Sequence, residues 1–179
     1  MNTFHRSITV LTLAAGALSA CAGDSPLSPA MGPEAALSAR GATTAAGTYD
    51  LSFYTNGLVP VATLTVGTSE LILKAHVASA LGVPAQKGTV TFEYCSLKGL
   101  PSNDITRADE APSSACADGT GSWTRLTSIA VNASGDAYMD FGVVLIPRTV
   151  GFRVRYSSQG SSVASGTGAP QDFTWVVAP

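Results

Sequence analysis

Four groups of residues in this chain are of types that do chemistry, and their spacing limits what each could do. His76 is the only histidine beyond His5. It is a candidate general base for serines and aspartates brought in by other segments. No Gly-x-Ser-x-Gly elbow accompanies it, and a lone outward-facing histidine reads as a surface residue. Asp104, Asp109, Glu110 and Asp118 fall in a long loop, 96–122, where carboxylates could gather the roughly six to eight oxygens that Ca²⁺ takes. They have no EF-hand spacing, and a solvated acidic loop is the plainer reading. Asp136 and Asp140 stand four apart, on one face of a strand, as a glycosidase pair would require; Asp136 is better explained as a turn residue. Arg153 and Arg155 share the outer face of one strand, and Lys74 and His76 that of another. Two arginines so placed could meet an anionic glycan or lipid headgroup, or simply keep the face wet. Trp123, Tyr138 and Tyr54 read as exposed rings, suited to stacking on sugars or anchoring a partner, while Phe173 and Trp175 read as core.

The elements that must position these groups belong to a chain of 179 residues, long enough for one domain plus accessory segments. Apolar residues make up 45%, enough to bury a core. Only 12% are charged and the net charge is −2, which leaves nothing basic enough to track a nucleic acid. Two cysteines and one distant histidine do not make a tetrahedral metal set. Gly119-Thr120-Gly121 is too short to cradle a phosphate. No metal and no cofactor is expected.

Residues 1–20 have the build of a secretory signal peptide: Arg6 in a short polar start, an apolar run from Ile8 to Leu18, then small residues. The run is well short of the roughly 20 apolar residues that span a bilayer. Leu18-Ser19-Ala20-Cys21 resembles the lipobox of bacterial lipoproteins. The resemblance implies that the Cys21 thiol receives a diacylglycerol and that Cys21 becomes the first residue after cleavage. Two or more acyl chains anchor stably where one does not. The alternative is ordinary cleavage after Ala20, leaving a stray thiol. Ala22, rather than Asp, after the cysteine implies sorting to the outer membrane. With Cys21 assigned to lipid, the odd count of three becomes an even pair, Cys95 and Cys116. A disulfide between them is expected in an exported protein; two reduced thiols are the alternative. Closing a loop of about 22 residues is worth around 3 kcal/mol on the chain-entropy estimate.

From the lipidated Cys21 to Gly47 the chain is Ala, Gly, Ser, Thr and Pro almost throughout, with nothing that alternates. Such a composition cannot offset the entropy of ordering, and residues 21–47 read as a disordered tether. From residue 48 the pattern has period two. Leu71–Val77, Val90–Tyr94, Ala137–Phe141, Phe152–Tyr156 and Phe173–Val177 each alternate apolar with polar, and Thr48–Thr55 is a further candidate strand. Turn residues at Asn56-Gly57, Gly82-Val83-Pro84, Ser134-Gly135-Asp136 and Gly166-Thr167-Gly168 separate them. Residues 48–179 are therefore expected to form an all-β, antiparallel sandwich of about seven strands.

Gly82-Val83-Pro84, Gly88-Thr89-Val90-Thr91-Phe92 and Asn132-Ala133-Ser134-Gly135-Asp136-Ala137, in that order, resemble bacterial immunoglobulin-like repeat domains. The resemblance spans about residues 58–179 and implies an immunoglobulin-like β-sandwich. It departs at loop 96–122, where the family has a short hairpin. Together the two resemblances imply an exported, lipid-anchored protein of the bacterial cell envelope, at the outer membrane, presenting a binding or structural module rather than an enzyme. The membrane, through the lipid, and an unidentified protein or glycan are the expected partners. Trp123, Arg153 and Arg155 are the candidate contact residues. A carbohydrate- or peptidoglycan-associated module is the alternative, and a small hydrolase a more distant one.

Overall fold

The computed structural model describes residues 45–100 and 108–179. The expected signal peptide, Cys21, the tether as far as residue 44, and Asp104 lie outside the described residues.

The strands are β1 (Gly47–Thr55), β2 (Val59–Pro60), β3 (Thr63–Thr65), β4 (Leu71–Ser79), β5 (Thr89–Leu97), β6 (Gly121–Ala130), β7 (Asp136–Gly142), β8 (Arg148–Ser157), β9 (Gly166–Thr167) and β10 (Gln171–Val176), with one short helix, α1 (Ser113–Ala117). They form two packed sheets, ordered β2-β1-β4-β7 and β3-β10-β8-β5-β6, with β9 beside β8. This places the first, second and fifth long strands in one layer and the third, fourth, sixth and last in the other, as two layers of a β-sandwich. The pairing is antiparallel except between β3 and β10, which run parallel.

Alternation decides which face each strand buries. In β4, Leu71, Leu73, Ala75 and Val77 are fully buried while Lys74 and His76 point outward. Phe92 on β5, Val150, Phe152 and Val154 on β8, and Phe173 and Trp175 on β10 meet them from the opposite sheet. The middle of the core is aromatic: Phe141 meets Phe152 edge-on at 4.9 Å, and Phe173 meets Trp175 in the same way at 4.9 Å. Such pairs add about 0.5–1.5 kcal/mol each beyond the burial of their area.

Several expectations change. The described residues form more strands than about seven, because β2, β3 and β9 are too short to show a period. β6 was also missed: Trp123, Leu126 and Ile129 recur every third residue, and the strand is an edge with a bulge opposite Phe92 and Glu93. Gly166-Thr167, expected as a turn, pairs with Arg155 and Tyr156. The Asn132–Asp136 turn joins β6 in one sheet to β7 in the other, so it crosses the sandwich. Its Gly135 has φ of +76°, and a Cβ there would lie 2.4 Å from the Val77 carbonyl. The sandwich also starts slightly before residue 48, since Ala45 bridges to Val163 and β1 begins at Gly47.

Candidate functional site

The segment between β5 and β6 is the most individual part of the domain, and the Cys95–Cys116 disulfide closes it with a Cα–Cα distance of 5.9 Å. Cys95 alternates with Tyr94 and faces outward from the sandwich core, yet it is fully buried. What buries it is the segment itself. Ala111, Ala115 and Cys116 pack on Cys95, Leu97 and Trp123 as a second small apolar cluster on the outer face of the larger sheet. Backbone bonds fix it there: Ala111 N donates to Cys95 O at 2.9 Å, and Gly151 N to Ala111 O at 2.8 Å. Gly151 is the seat of α1, because a Cβ there would come within 2.3 Å of Ser113 N.

This corrects the reading of a solvated acidic loop. Asp109 is 3% exposed and accepts a 2.6 Å hydrogen bond from the Tyr94 hydroxyl. Glu110 pairs with Arg148 at 3.1 Å. Asp118 accepts from the backbone N–H and the hydroxyl of Thr120 at 2.9 and 2.7 Å, contacts that hold its carboxyl below the usual range. Asp109 and Glu110 fasten the segment to the sheet, and Asp118 braces it from within. Among the described residues no group of three or more His, Cys, Asp or Glu is placed to hold a metal ion.

Next to this cluster, the outer face carries Arg153, Arg155 and Trp123 together. The Arg153 Nε donates to Glu93 Oε2 at 2.6 Å, and Arg155 Nη1 lies 3.6 Å from Glu93 Oε1. The Arg153 guanidinium also sits over the Trp123 ring, 4.4 Å from its centre. Trp123 is therefore not the exposed ring expected: it is half-buried, with the disulfide cluster beside it and Arg153 across one face. Tyr54 is half-buried too, and only Tyr138 of the three is exposed, at 37%. Two residues of this face were missed. Glu93 is the cross-strand partner of Arg153 on one side and of Arg125 on the other. The signal available was the polar slot between Phe92 and Tyr94, but nothing local says which cations lie across from it.

On the other sheet, His76 Nδ1 is 2.7 Å from Asp136 Oδ1, and Lys74 Nζ is 3.1 Å from Asp136 Oδ2. Asp136 opens β7 as an ion-pair partner; the residue that makes the turn is Asn132, whose Oδ1 accepts from the N–H groups of Ser134 and Asp136. Burial pushes the Asp136 carboxyl up, but hydrogen bonds from His76 and Lys74 outweigh it and hold it below the ordinary range. The same hydrogen bond raises Lys74. Asp140 shares this outer face and binds the Gly142 N–H. Among the described residues no hydroxyl hydrogen-bonds to His76, and the Tyr138 hydroxyl donates to Asp136 Oδ2 at 3.4 Å.

The fold and site together define a disulfide-bonded β-sandwich with a fastened loop on one sheet face. No family model matches the chain, and no curated protein matches it. Among solved structures it is similar to part of a β-glucosidase from Listeria innocua in complex with gluconolactone, at 12% identity, over 73% of this chain and 17% of that one, with a TM-score of 0.27. A likeness that slight carries no argument.

Proposed function

We propose that this chain is an exported, lipid-anchored protein of the bacterial envelope, with outer-membrane sorting, that presents its sandwich as a non-enzymatic binding module. The observation that carries the reading is the fate of the cysteines. Cys95 and Cys116 are joined, which leaves Cys21 as the one thiol, directly behind Leu18-Ser19-Ala20 and an apolar run. A disulfide suits an oxidising compartment. Among the described residues no helix is long and apolar enough to cross a membrane; attachment is assigned to the lipid on Cys21.

Recognition is assigned to the outer face of the larger sheet, where the fastened segment, Arg153 and Arg155 adjoin. The glycan alternative draws less support, because Arg153 already occupies a face of Trp123. The hydrolase alternative draws less still, because His76 and Asp136 are coupled to Lys74 rather than to a nucleophile.

Labelled palmitate tests the anchor. The wild type takes up label, and Cys21→Ala does not and is released from membranes; equal labelling of the two overturns the reading. Photo-crosslinking from position 155 in intact cells tests the module. A discrete adduct, absent when the probe is moved to position 140 on the other sheet, is the expected result.

A further inference from the structure

We propose that the outer face of the larger sheet holds an anion site for a phosphate group, clamped between Arg125 and Arg155. The inference deepens the binding-module reading and rests on it.

The three arginines of this face are not equivalent. Arg153 is committed, since its Nε bonds Glu93 and its plane lies on Trp123. Arg155 is 60% exposed at its side chain and touches Glu93 only at 3.6 Å, which leaves most of its N–H fork unused. Arg125 is exposed and makes no ion pair or hydrogen bond among the described residues. Both of these arginines flank β5: Arg125 is the β6 partner of Glu93, and Arg155 the β8 partner of Thr91. Strands two apart in a sheet are separated by about 10 Å, a gap that two long side chains can close over one small ligand.

A cleft of ≈ 340 Å³ opens at this place, lined by Thr91, Glu93, Arg125, Arg155 and Ser157. Its lining includes Thr91, whose hydroxyl is bonded to that of Ser128 at 2.8 Å, and the Ser157 side chain is exposed. Three arginines against one buried glutamate leave a surplus of two positive charges. A phosphate ester carries about −1.5 to −2 near neutral pH and offers three acceptor oxygens, so it matches both the charge and two forked donors; a single carboxylate matches one. Glu93, held down by Arg153, keeps the anion at the mouth of the cleft, on the two arginines that have donors to spare.

The test is calorimetric titration of the full chain at low salt with inorganic phosphate and, separately, with glycerol 3-phosphate, the monoester headgroup of phosphatidic acid freed of its acyl chains. One saturable site is expected. Arg125→Gln and Arg155→Gln should each weaken binding about tenfold or more, the usual effect of losing a charge-assisted hydrogen bond. Lys74→Gln, on the opposite sheet, should leave binding unchanged, and added salt should weaken it. Because Arg125 has no partner among the described residues, Arg125→Gln should keep the wild-type melting temperature, so a loss there is not a loss of structure. Tighter binding of glycerol 3-phosphate marks a lipid headgroup as the source, and tighter binding of inorganic phosphate marks a soluble phosphate; either supports the site. No saturable binding of either probe, or wild-type binding by Arg125→Gln, overturns it. Crosslinks from position 155 that persist alongside such a failure would leave the binding-module reading standing without the phosphate site.

Discussion

The Arg153 guanidinium lies 4.4 Å from the centre of the Trp123 ring, with its Nε bonded to Glu93 on the strand between them. One side chain thus ties β8 to β5 by charge and to β6 by stacking, beside the disulfide. The Glu93 side chain is 7% exposed, so removing Arg153 leaves a poorly hydrated carboxylate with only the 3.6 Å contact to Arg155. Arg153→Met should cost about 2 kcal/mol, below the full penalty for a deeply buried pair because the arginine is partly in water. Arg153→Lys, which keeps the charge but not the planar fork, should cost less. The double variant Glu93→Gln/Arg153→Met should recover much of the loss. Denaturant melts of all three check this; additive losses would show that the pair does not act as a unit.

Replacing both cysteines, in Cys95→Ala/Cys116→Ala, should lower stability by about 3 kcal/mol through the freed loop entropy. The sandwich should persist, because its core, from Leu73 to Trp175, is separate from the disulfide cluster. Urea unfolding followed by far-ultraviolet dichroism distinguishes a shifted transition from a lost one.

Gly151→Val should be damaging out of proportion to its size. A Cβ at this position meets the Ser113 backbone at 2.3 Å, and backbone cannot rotate aside. The expected cost is about 1–3 kcal/mol, with faster protease cleavage within residues 98–120 as the local signature. Unchanged cleavage would mean that α1 is not seated on β8.

The Asp136 cluster predicts a pH window. The Asp136 carboxyl is held below its ordinary 3.8 in the folded protein, so its contribution is fully present above that value and is lost as pH falls through the folded one. Lys74 is raised above its ordinary 10.5, so its contribution is fully present below that value and is lost as pH rises through the folded one. Asp136→Asn should therefore cost about 1 kcal/mol, the scale of a partly exposed ion pair, throughout the interval between about pH 4 and pH 10. The gap from wild type should close toward both ends. A gap that widens in acid would contradict the assignment. Melting temperatures across pH supply the measurement.

Much of the architecture was legible in the sequence because alternation is a local signal. Leu73, Phe92, Phe141, Val154 and Trp175 each occupy an apolar slot in a period-two run, and all are buried. Half-buried strands with turn residues between them have few arrangements other than a sandwich. The count of three cysteines was equally local, and two of them are bonded. What escaped depended on neighbours far away in the chain. Glu93 and Arg153 are 60 residues apart, as are His76 and Asp136; a strand shows which face a side chain takes, but not which strand lies beside it or in what register. β6 escaped for the same reason, since an edge strand is half covered by whatever packs near it and need not alternate. The acidic loop looked solvated because its carboxylates are polar; only the folded sheet supplies Tyr94 and Arg148, which draw Asp109 and Glu110 inward. Faces were decided by the local order of residues. The partners across those faces were decided by tertiary structure, because register is set by long-range packing that no short run of sequence contains.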